Sequence, residues 1–436
     1  MSTEAREELK KRILDTVGVA IGALEGEPIK MIRTHQEDFG GAPHCTLIGG
    51  GKTAPDRAAF YNGALSRYLD FMDSYLAKGE TCHQSDNFGA VLAAAEYADA
   101  SGDQLLTAMA AAYQVQGRLC DEAPVRHKGF DHTVQGAYAS AAGVARALGL
   151  DEEKTAMAVA ISGTCNNALR CTRTGALSHW KGLAYPNTAF VGTHAAFLAY
   201  RGITGPEEVF EGNKGFRDAI AGEFSIDWEK ENLENVKKSI IKKYNAEIHS
   251  QSSIEGALEL QAANGFTWDQ IDHIGIDIFD VAFHIIGGGE EGDKTIIRTK
   301  EEADHSLQYM VGVALIDGNV LPAQYEGDRV TRDDIQSLLQ RFTVKPKQEY
   351  TDRFPEEVCT DLTITLKDGK QHKITKTDYE GFNTRPMSWD TVEAKFTDLA
   401  TPFTSERTRN AIIDAVKNIE KMTSREFAAI LGNLNV

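Results

Sequence analysis

The order of apolar and polar residues divides the chain into a long helical part and a shorter part that contains strands. From residue 5 to about residue 265 the apolar spacing is helical almost throughout. Many of these segments are rich in Ala, Gly and Ser: Gly89 to Ala98, Leu105 to Arg118, Gly136 to Leu150 and Phe190 to Tyr200. Small side chains let helices approach closely, so we expect a tightly packed all-α domain. Asp151 and Thr204 are predicted N-caps, with Pro206 in the first turn of the helix after Thr204.

The pattern changes near residue 270. Ile274, Ile276 and Ile278 alternate with other residues in the way typical of a strand. A second alternating run at 362–366 precedes Asp368-Gly369, which predicts a hairpin with a type I′ turn. Helical segments at 303–318 and 333–340 lie between the two runs, and 389–399 and 405–422 are helical again. The prediction is a mainly α protein, with a large all-α helical domain (1–268 with 390–436) and a smaller α+β domain (269–389).

Composition and charge exclude several classes of protein. The 436 residues carry a formal charge of −18, which disfavours non-specific binding to nucleic acid or to an anionic membrane. The N-terminus is charged and has no apolar signal core, and no apolar run is long enough to span a bilayer. The six cysteines show neither a CxxC pair nor zinc-like spacing, so reduced thiols are the simplest account. We therefore expect a cytoplasmic protein with no metal site.

The segment from Asp70 to His83 contains the densest group of reactive side chains. A helix here would place Asp70, Asp73 and Ser74 on one face, through i,i+3 and i,i+4 spacing. The polar run from 78 to 86 breaks the apolar period, so His83 is expected on a loop that folds back over that face. The alternative interpretation is a helix end with solvated acids and a chance histidine.

Other ionisable residues occur where helices are expected to begin. His132 precedes the small-residue helix at Gly136, Lys181 lies before another such helix, and His249 precedes a helical stretch at 254–261. His305 and Tyr309 lie at the start of the long helix of the second domain. Each of these taken alone is more often structural than catalytic. Their recurrence in both domains favours a ligand cleft between the domains.

These residues belong to segments that resemble the MmgE/PrpD family. Eight segments in one order carry the resemblance over nearly the whole chain: LDTVGVAIGA, YNGALSRYLDFMDSY, GETCHQSDNFGAV, GFDHT, SHWKG, YNAEIHSQSSIEGAL, TKEEADHSLQYMVGVALIDG and RPMSWDTVEAKF. The resemblance implies a helical domain, a smaller lid domain, a homodimer and an active site without metal or organic cofactor. Two features depart from the family pattern: Gln84 stands where many members have proline, and YNAEIH replaces a Cys-containing stretch, which leaves Lys242 and Lys243 ambiguous as substrate-binding residues.

The resemblance also implies which residues act. Those expected to be catalytic are Asp70, His83, His132, Lys181, His249 and Tyr309. Those expected to bind substrate are Asp73, Ser74, Lys243 and His305.

The chemistry of the implied reaction suggests a role for each group. Removing a C–H proton beside a carboxylate and expelling hydroxide needs positive charge and an acid/base pair. His132 and His249 are expected to be that pair, in an order that is left open. Lys181 and Lys243 would bind carboxylates, Asp70 would orient His83, and Tyr309 would donate from the lid.

The segments resemble most the branch that dehydrates 2-methylcitrate to 2-methyl-cis-aconitate, so the expected function is dehydration of a small-molecule polycarboxylate. Decarboxylation of cis-aconitate and epimerisation of a related dicarboxylate remain alternatives. A non-enzymatic helical binding protein is the alternative from another class.

Overall fold

The structure, a computed structural model, describes residues 1–174, 178–290 and 292–434. The chain forms two compact units: a larger one from Met1–Ile241 and Ser388–Val436, and a smaller one from Lys242–Met387. The C-terminal segment therefore returns to the larger unit, and the smaller unit is inserted between two of its segments. In the described part of the chain, no helix is long and apolar enough to cross a membrane.

The larger unit is built mainly of helices. They are Thr3–Gly22, Glu27–Phe39, Pro55–Tyr68, Phe88–Ala98, Gly102–Glu122, Thr133–Ala147, Glu152–Cys165, Trp180–Tyr200, Trp389–Ala400, Glu406–Lys417 and Ser424–Leu431. The expectation of an all-α domain needs one correction, because two short antiparallel hairpins interrupt the helices. One pairs Cys45–Thr46 with Lys52–Thr53, and the other pairs Tyr75–Ala77 with Glu80–Cys82.

Small residues let these helices approach closely, as the sequence predicts. A methyl group at Gly136 would lie 2.4 Å from Cε2 of Tyr185, and one at Gly163 would lie 2.2 Å from Cε1 of Tyr138. The absence of a side chain at each position makes room for a buried aromatic ring. Glycine is needed here for space and not for backbone conformation.

One predicted helix start is confirmed and the other is wrong. Asp151 caps its helix by accepting a hydrogen bond from the Lys154 backbone N–H at 2.9 Å. No helix begins at Thr204. The adjacent Gly205 instead packs against the helix Glu152–Cys165, and its N–H donates to Sδ of Met157 at 3.2 Å. This packing holds the segment in an irregular conformation in which a helix cannot start.

The smaller unit contains a four-stranded sheet in the order Phe342–Pro346, Ile271–Ile278, Thr360–Leu366 and Gln371–Lys376. The first two strands are parallel and the other neighbours are antiparallel. Side chains along Thr360–Leu366 alternate between buried and half-buried, which matches the period of two. The helices of this unit are Gln251–Asn264, Asp280–Ala282, Lys300–Ala303, Leu307–Asp317, Asp333–Leu339 and Gln348–Arg353.

The predicted hairpin forms, but its turn is not type I′. A type I′ turn needs positive φ at both central residues. Here Gly369 has a φ of 84°, whereas Asp368 is not among the residues with positive φ. Leu366 donates to the carbonyl of Lys370 at 2.8 Å and accepts from Gly369 at 2.9 Å. The loop therefore has three residues, and only its glycine is left-handed.

The smaller unit starts earlier than the sequence-based boundary at residue 269. The helix Gln251–Asn264 packs on the sheet, where the hydroxyl of Ser253 donates to Oγ1 of Thr360 at 3.0 Å. Gln261 on the same helix donates to the carbonyl of Leu315 at 2.9 Å. A helical pattern alone gives no indication that this helix belongs to the sheet domain.

Candidate active site

The segment from Asp70 to His83 is not a helix, which corrects the sequence-based expectation. The preceding helix ends at Tyr68, and Asp70 has a left-handed φ of 51°. Asp70, Asp73 and Ser74 therefore do not share a helical face. The hairpin Tyr75–Ala77 with Glu80–Cys82 then reverses the chain and brings His83 back beside Asp73 and Ser74. The expected fold-back of His83 is confirmed, although a hairpin produces it.

The backbone of Asp73 orients the imidazole of His83. Nδ1 of His83 lies 2.7 Å from the carbonyl oxygen of Asp73 and 3.1 Å from Oγ of Ser74. Because a carbonyl oxygen only accepts, Nδ1 carries the hydrogen and Nε2 holds the lone pair of the neutral ring. The orienting role that the sequence suggested for the Asp70 carboxylate is thus filled at Nδ1 by the Asp73 carbonyl.

Asp73 anchors this loop from a fully buried position. One carboxylate oxygen accepts from the backbone N–H and the hydroxyl of Ser85, at 3.0 Å and 2.7 Å. The other accepts from the hydroxyls of Tyr113 and Ser239, at 2.7 Å and 2.9 Å. With two donors on each oxygen, Asp73 is suited to hold the loop and not to contact a substrate.

Asp70 lies between two cationic side chains. Nη1 of Arg67 donates to one of its oxygens at 2.8 Å, and Nζ of Lys181 is 3.7 Å from the other. Arg67 is buried, and Lys181 lies in the first turn of the helix Trp180–Tyr200. The same arginine places Nε 3.8 Å from Asp86. Asp70 therefore holds two positive groups in place at one edge of the cluster.

His132 lies at the start of the helix Thr133–Ala147, as predicted, and is buried. Its Nδ1 is 3.5 Å from Oδ1 of Asp131, and its ring centre is 5.6 Å from that of His83. Its Nε2 is buried and has no hydrogen-bond partner.

Arg173 fixes the position of Asp131, with Nε 2.9 Å from Oδ2, and also donates to the backbone carbonyl of Lys181 at 2.8 Å. These contacts link His83, His132 and Lys181 into one cluster.

Burial keeps the ring of His132 neutral, and three nearby guanidiniums add to this effect. Burial lowers the pKa of His132 to about 3; Asp131 opposes the shift, and Arg173, Arg67 and Arg170 add to it. Burial alone would raise the pKa of Asp131, but the neighbouring His132, Arg173 and Arg170 together outweigh burial and hold it below its usual value. The cluster therefore contains a neutral imidazole surrounded by cations and an ionised carboxylate.

Asp86 is a buried carboxyl group beside the cluster, in the turn Gln84–Asn87. Neither of its oxygens has a hydrogen-bond partner in the structure. Burial raises the pKa of Asp86 to about 7; Arg67 opposes the shift and Asp73 adds to it. The neighbouring Gln84 donates to the carbonyl of Tyr113 and to Oδ1 of Asn235, both at 2.6 Å.

In the smaller unit, His249 is held by a carboxylate. Its Nδ1 is 2.7 Å from Oε1 of Glu247, and its backbone N–H donates to Oε2 of the same residue at 2.8 Å. Nε2 of His249 is buried and has no hydrogen-bond partner. His305 forms a similar pair, with Nδ1 2.5 Å from Oδ1 of Asp304.

The other two predicted residues of the smaller unit are engaged with protein groups. The hydroxyl of Tyr309 donates to the carbonyl of Gln324 at 2.5 Å, and its side chain is buried. Nζ of Lys243 lies 2.8 Å from Glu380 and 3.4 Å from Glu255. The charge of Lys243 is thus compensated within the unit. In the described ranges, no group of three or more His, Cys, Asp or Glu side chains is arranged to hold a metal ion.

Comparison with known proteins identifies the family. The MmgE/PrpD N-terminal domain model matches residues 1–229, and the MmgE/PrpD C-terminal domain model matches residues 244–421. The chain belongs to the MmgE/PrpD family.

Curated relatives agree with the family match over most of the chain. A protein of Escherichia coli K12 named 2-methylcitrate dehydratase is 30% identical over 395 residues, which is 84% of this chain and 80% of the relative. One of the same name from Cupriavidus necator is 31% identical over 341 residues, 72% of this chain and 68% of the relative. A mouse protein named cis-aconitate decarboxylase is 25% identical over 439 residues, covering 95% of this chain and 86% of the relative.

Several groups in this MmgE/PrpD chain escaped sequence reasoning. They are Arg67, Asp86, Asp131, Arg173 and Glu247. Asp131 lies in GFDHT directly before His132, and Glu247 lies in YNAEIH two residues before His249. Proximity in sequence could therefore have indicated both carboxylates. Arg173 meets Asp131 across 42 residues of chain, which no local pattern reveals.

Proposed function

We propose that this protein is a hydro-lyase that removes water from a citrate-like tricarboxylate, with 2-methylcitrate as its expected substrate and 2-methyl-cis-aconitate as its product. The family match and the dehydratase relatives support the reaction class. The observation that carries the proposal is the buried, unpartnered Nε2 of His132 within a group of cations. A neutral imidazole is a proton acceptor, and cations attract a polycarboxylate.

The cations account for substrate binding and for stabilisation of charge. Lys181 and the guanidiniums of Arg67 and Arg173 surround the same cluster, within contact distance of Asp70, Asp86 and Asp131. In the proposed reaction, negative charge develops on the carboxylate next to the carbon that loses its proton. Fixed positive groups stabilise this charge in a site from which water is excluded. Lys181, with its side chain partly exposed, is the cation proposed to contact a substrate carboxylate.

The substrate itself makes His132 a stronger base in this proposal. In the free protein the pKa of His132 is lowered to about 3, so the ring binds protons weakly. A bound tricarboxylate brings several negative charges close to the ring and raises that pKa toward neutrality. The ring then accepts the C–H proton on Nε2, the C–H electron pair forms the double bond, and the C–O bond breaks.

The departing oxygen needs a proton to leave as water. We assign this step to His249, whose buried Nε2 has no hydrogen-bond partner. His132 thus takes one proton from the substrate and His249 gives one proton to the departing oxygen. The net reaction is the loss of one water molecule. Each positioned acid or base contributes roughly 10²–10⁴-fold to the rate.

A second candidate function is decarboxylation of cis-aconitate. The observation in its favour is the mouse cis-aconitate decarboxylase, which matches 95% of this chain, although at only 25% identity. The same cations would bind that substrate. The two reactions differ in the bond that breaks, C–O in one case and C–C in the other.

The test is to incubate the purified protein separately with 2-methylcitrate, citrate and cis-aconitate. Appearance of an unsaturated acid in the ultraviolet is expected with 2-methylcitrate, without release of carbon dioxide. Release of carbon dioxide from cis-aconitate would identify the second candidate instead. Absence of turnover together with no thermal stabilisation by any of the three acids would support a binding protein of another class.

His132→Gln and His249→Gln are the diagnostic variants. Each is expected to lose at least 10²-fold in kcat while keeping its fold, measured by circular dichroism. The exposed His194, whose Nδ1 is 3.5 Å from Asp56, provides the matched control, and His194→Gln is expected to retain wild-type turnover. Wild-type kcat in both diagnostic variants would contradict the assignment of the two histidines.

A further inference from the structure

The carboxylate of Glu247 contacts His249 at two atoms. The two residues are separated by one position in the chain, and the carboxylate bridges two atoms of the histidine, its ring Nδ1 and its own backbone N–H, at 2.7 Å and 2.8 Å. Both side chains are largely buried, with 11% of the Glu247 side chain and 2% of the His249 side chain exposed to solvent. Burial alone would raise the pKa of Glu247, but the neighbouring His249, His305 and Lys242 outweigh it, so the carboxylate stays ionised.

This bridge fixes the position of the ring proton. A backbone N–H can only donate, so Oε2 must accept there. An ionised carboxylate has acceptors only, so Oε1 must also accept, and the hydrogen lies on Nδ1 of the imidazole. Nε2 therefore holds the lone pair in the neutral ring and carries the second hydrogen in the protonated ring.

The surroundings of His249 restrict the ring to this orientation. Phe279 packs edge to face against it with ring centres 5.5 Å apart, and Phe354 lies 5.8 Å away. The two phenylalanines stack on each other at 4.7 Å. An aromatic wall on one side and a carboxylate on the other leave Nε2 as the nitrogen with no protein partner.

We propose that Glu247 is a positioning residue that makes Nε2 of His249 the atom that exchanges a proton with the substrate. The inference rests on the proposed function and deepens it. In the dehydration, Nε2–H gives its proton to the departing oxygen, the C–O bond electrons leave with that oxygen, and water forms. The ring returns to the neutral form with its Nδ1–H still bonded to Glu247. The carboxylate stabilises the protonated ring before the step and keeps the tautomer correct after it.

Glu247→Gln tests this role with minimal change in volume. Glutamine has one accepting oxygen and one donating amide group in place of two acceptors. Because the backbone N–H of His249 requires the oxygen, the amide group must face Nδ1. Nδ1 must then accept, and the ring hydrogen moves to Nε2. The ring can no longer be protonated on both nitrogens without breaking this bond.

Two measurements test this role on the whole protein. The matched control is Glu259→Gln. Glu259 is a half-exposed glutamate on the helix Gln251–Asn264 and pairs with Lys376. Turnover of 2-methylcitrate by Glu247→Gln is expected to fall by about 10²–10⁴-fold in kcat with little change in KM. Nitrogen-15 NMR of histidine-labelled protein, assigned with His249→Gln, is expected to show a proton on Nδ1 of His249 in the wild type, joined by a second proton on Nε2 when the ring is protonated. In Glu247→Gln the proton is expected on Nε2 alone. Glu259→Gln is expected to match the wild type in both.

The two readouts separate the inference from the proposed function. If wild-type protein turns over none of the acids, the function fails, while the tautomer of His249 still tests the position of the proton. A wild-type ring with a hydrogen on Nε2 and none on Nδ1 would overturn the inference even if Glu247→Gln did not fold. So would a folded Glu247→Gln with wild-type kcat.

Discussion

Nδ1 of His83 lies 2.7 Å from the backbone carbonyl oxygen of Asp73. The carboxylate of the same Asp73 accepts four hydrogen bonds from residues elsewhere in the larger unit. One residue therefore sets the conformation of the loop with its side chain and the tautomer of a histidine with its backbone. His83 depends on Asp73 through its backbone carbonyl.

Asp73→Asn is expected to destabilise the protein. The amide group that replaces one oxygen cannot accept, so two of the four donors lose their partner in a buried site. We expect a loss of about 2–4 kcal/mol in the free energy of unfolding, measured by urea denaturation, and a loss of turnover because His83 follows the loop. Asp227→Asn is the control, since Asp227 is half-exposed and paired with Lys230. Equal unfolding free energies for the two variants would contradict the anchoring role.

Asp86 and His132 are expected to give opposite dependences of stability on pH. The pKa of Asp86 is raised from 3.8 to about 7, so between these values the folded protein holds a proton that the unfolded chain releases. The contribution of Asp86 to stability therefore falls as pH rises through that range. The pKa of His132 is lowered from 6.5 to about 3, so the unfolded chain binds the extra proton, and its contribution falls as pH falls. The two contributions oppose each other over the range that they share.

Single variants separate the two contributions. Relative to the wild type, Asp86→Asn is expected to become more stable as pH rises from about 4 to about 6.5. His132→Gln is expected to become more stable, relative to the wild type, as pH falls over the same range. Each free energy of unfolding is expected to change by at most about 1.4 kcal/mol per pH unit. Urea denaturation at several pH values measures both slopes. Parallel curves for a variant and the wild type would show that the mutated residue does not have the shifted pKa.

Lys181→Met is expected to weaken substrate binding. Loss of one charge-assisted contact to a carboxylate costs about 1.5–3 kcal/mol, which raises KM for 2-methylcitrate by about 10–100-fold. Steady-state kinetics measures the effect, and the more exposed Lys154, near Asp151, provides the control variant Lys154→Met. An unchanged KM in Lys181→Met would remove this lysine from the proposed binding group.

Gly136→Ala is expected to strain the packing of the helices that carry His132 and Lys181. The added methyl carbon would lie 2.4 Å from Cε2 of Tyr185, whose ring is buried and whose hydroxyl donates to Asn87 at 2.9 Å. We expect a loss of about 1–3 kcal/mol in the free energy of unfolding. Gly182→Ala is the control, because nothing lies within 4 Å of the added carbon. Equal stabilities would show that the helices can separate without cost.

The sequence predicted the regular elements well where one face of each was consistently apolar or small. Phe88–Ala98 and Ile271–Ile278 match their patterns closely. It failed where tertiary contacts override a local pattern, as at Asp70 with its left-handed backbone and at Gly205 packed on a neighbouring helix. Candidate histidines could be predicted because helix starts are marked in the sequence. Their charged partners, such as Arg173, come from distant segments and become visible only in three dimensions.

The return of the chain to the larger unit at Ser388 affects the order in which the protein can be completed on the ribosome. Nζ of Lys395 lies 2.7 Å from the buried carboxylate of Asp15, and it donates to the carbonyl of Phe71 at 2.8 Å. Synthesis runs from the N-terminus, so Asp15 and Phe71 emerge long before this lysine, and the whole smaller unit is made in between. The helix Thr3–Gly22 therefore lacks this counter-ion to Asp15 until the whole smaller unit has been synthesised.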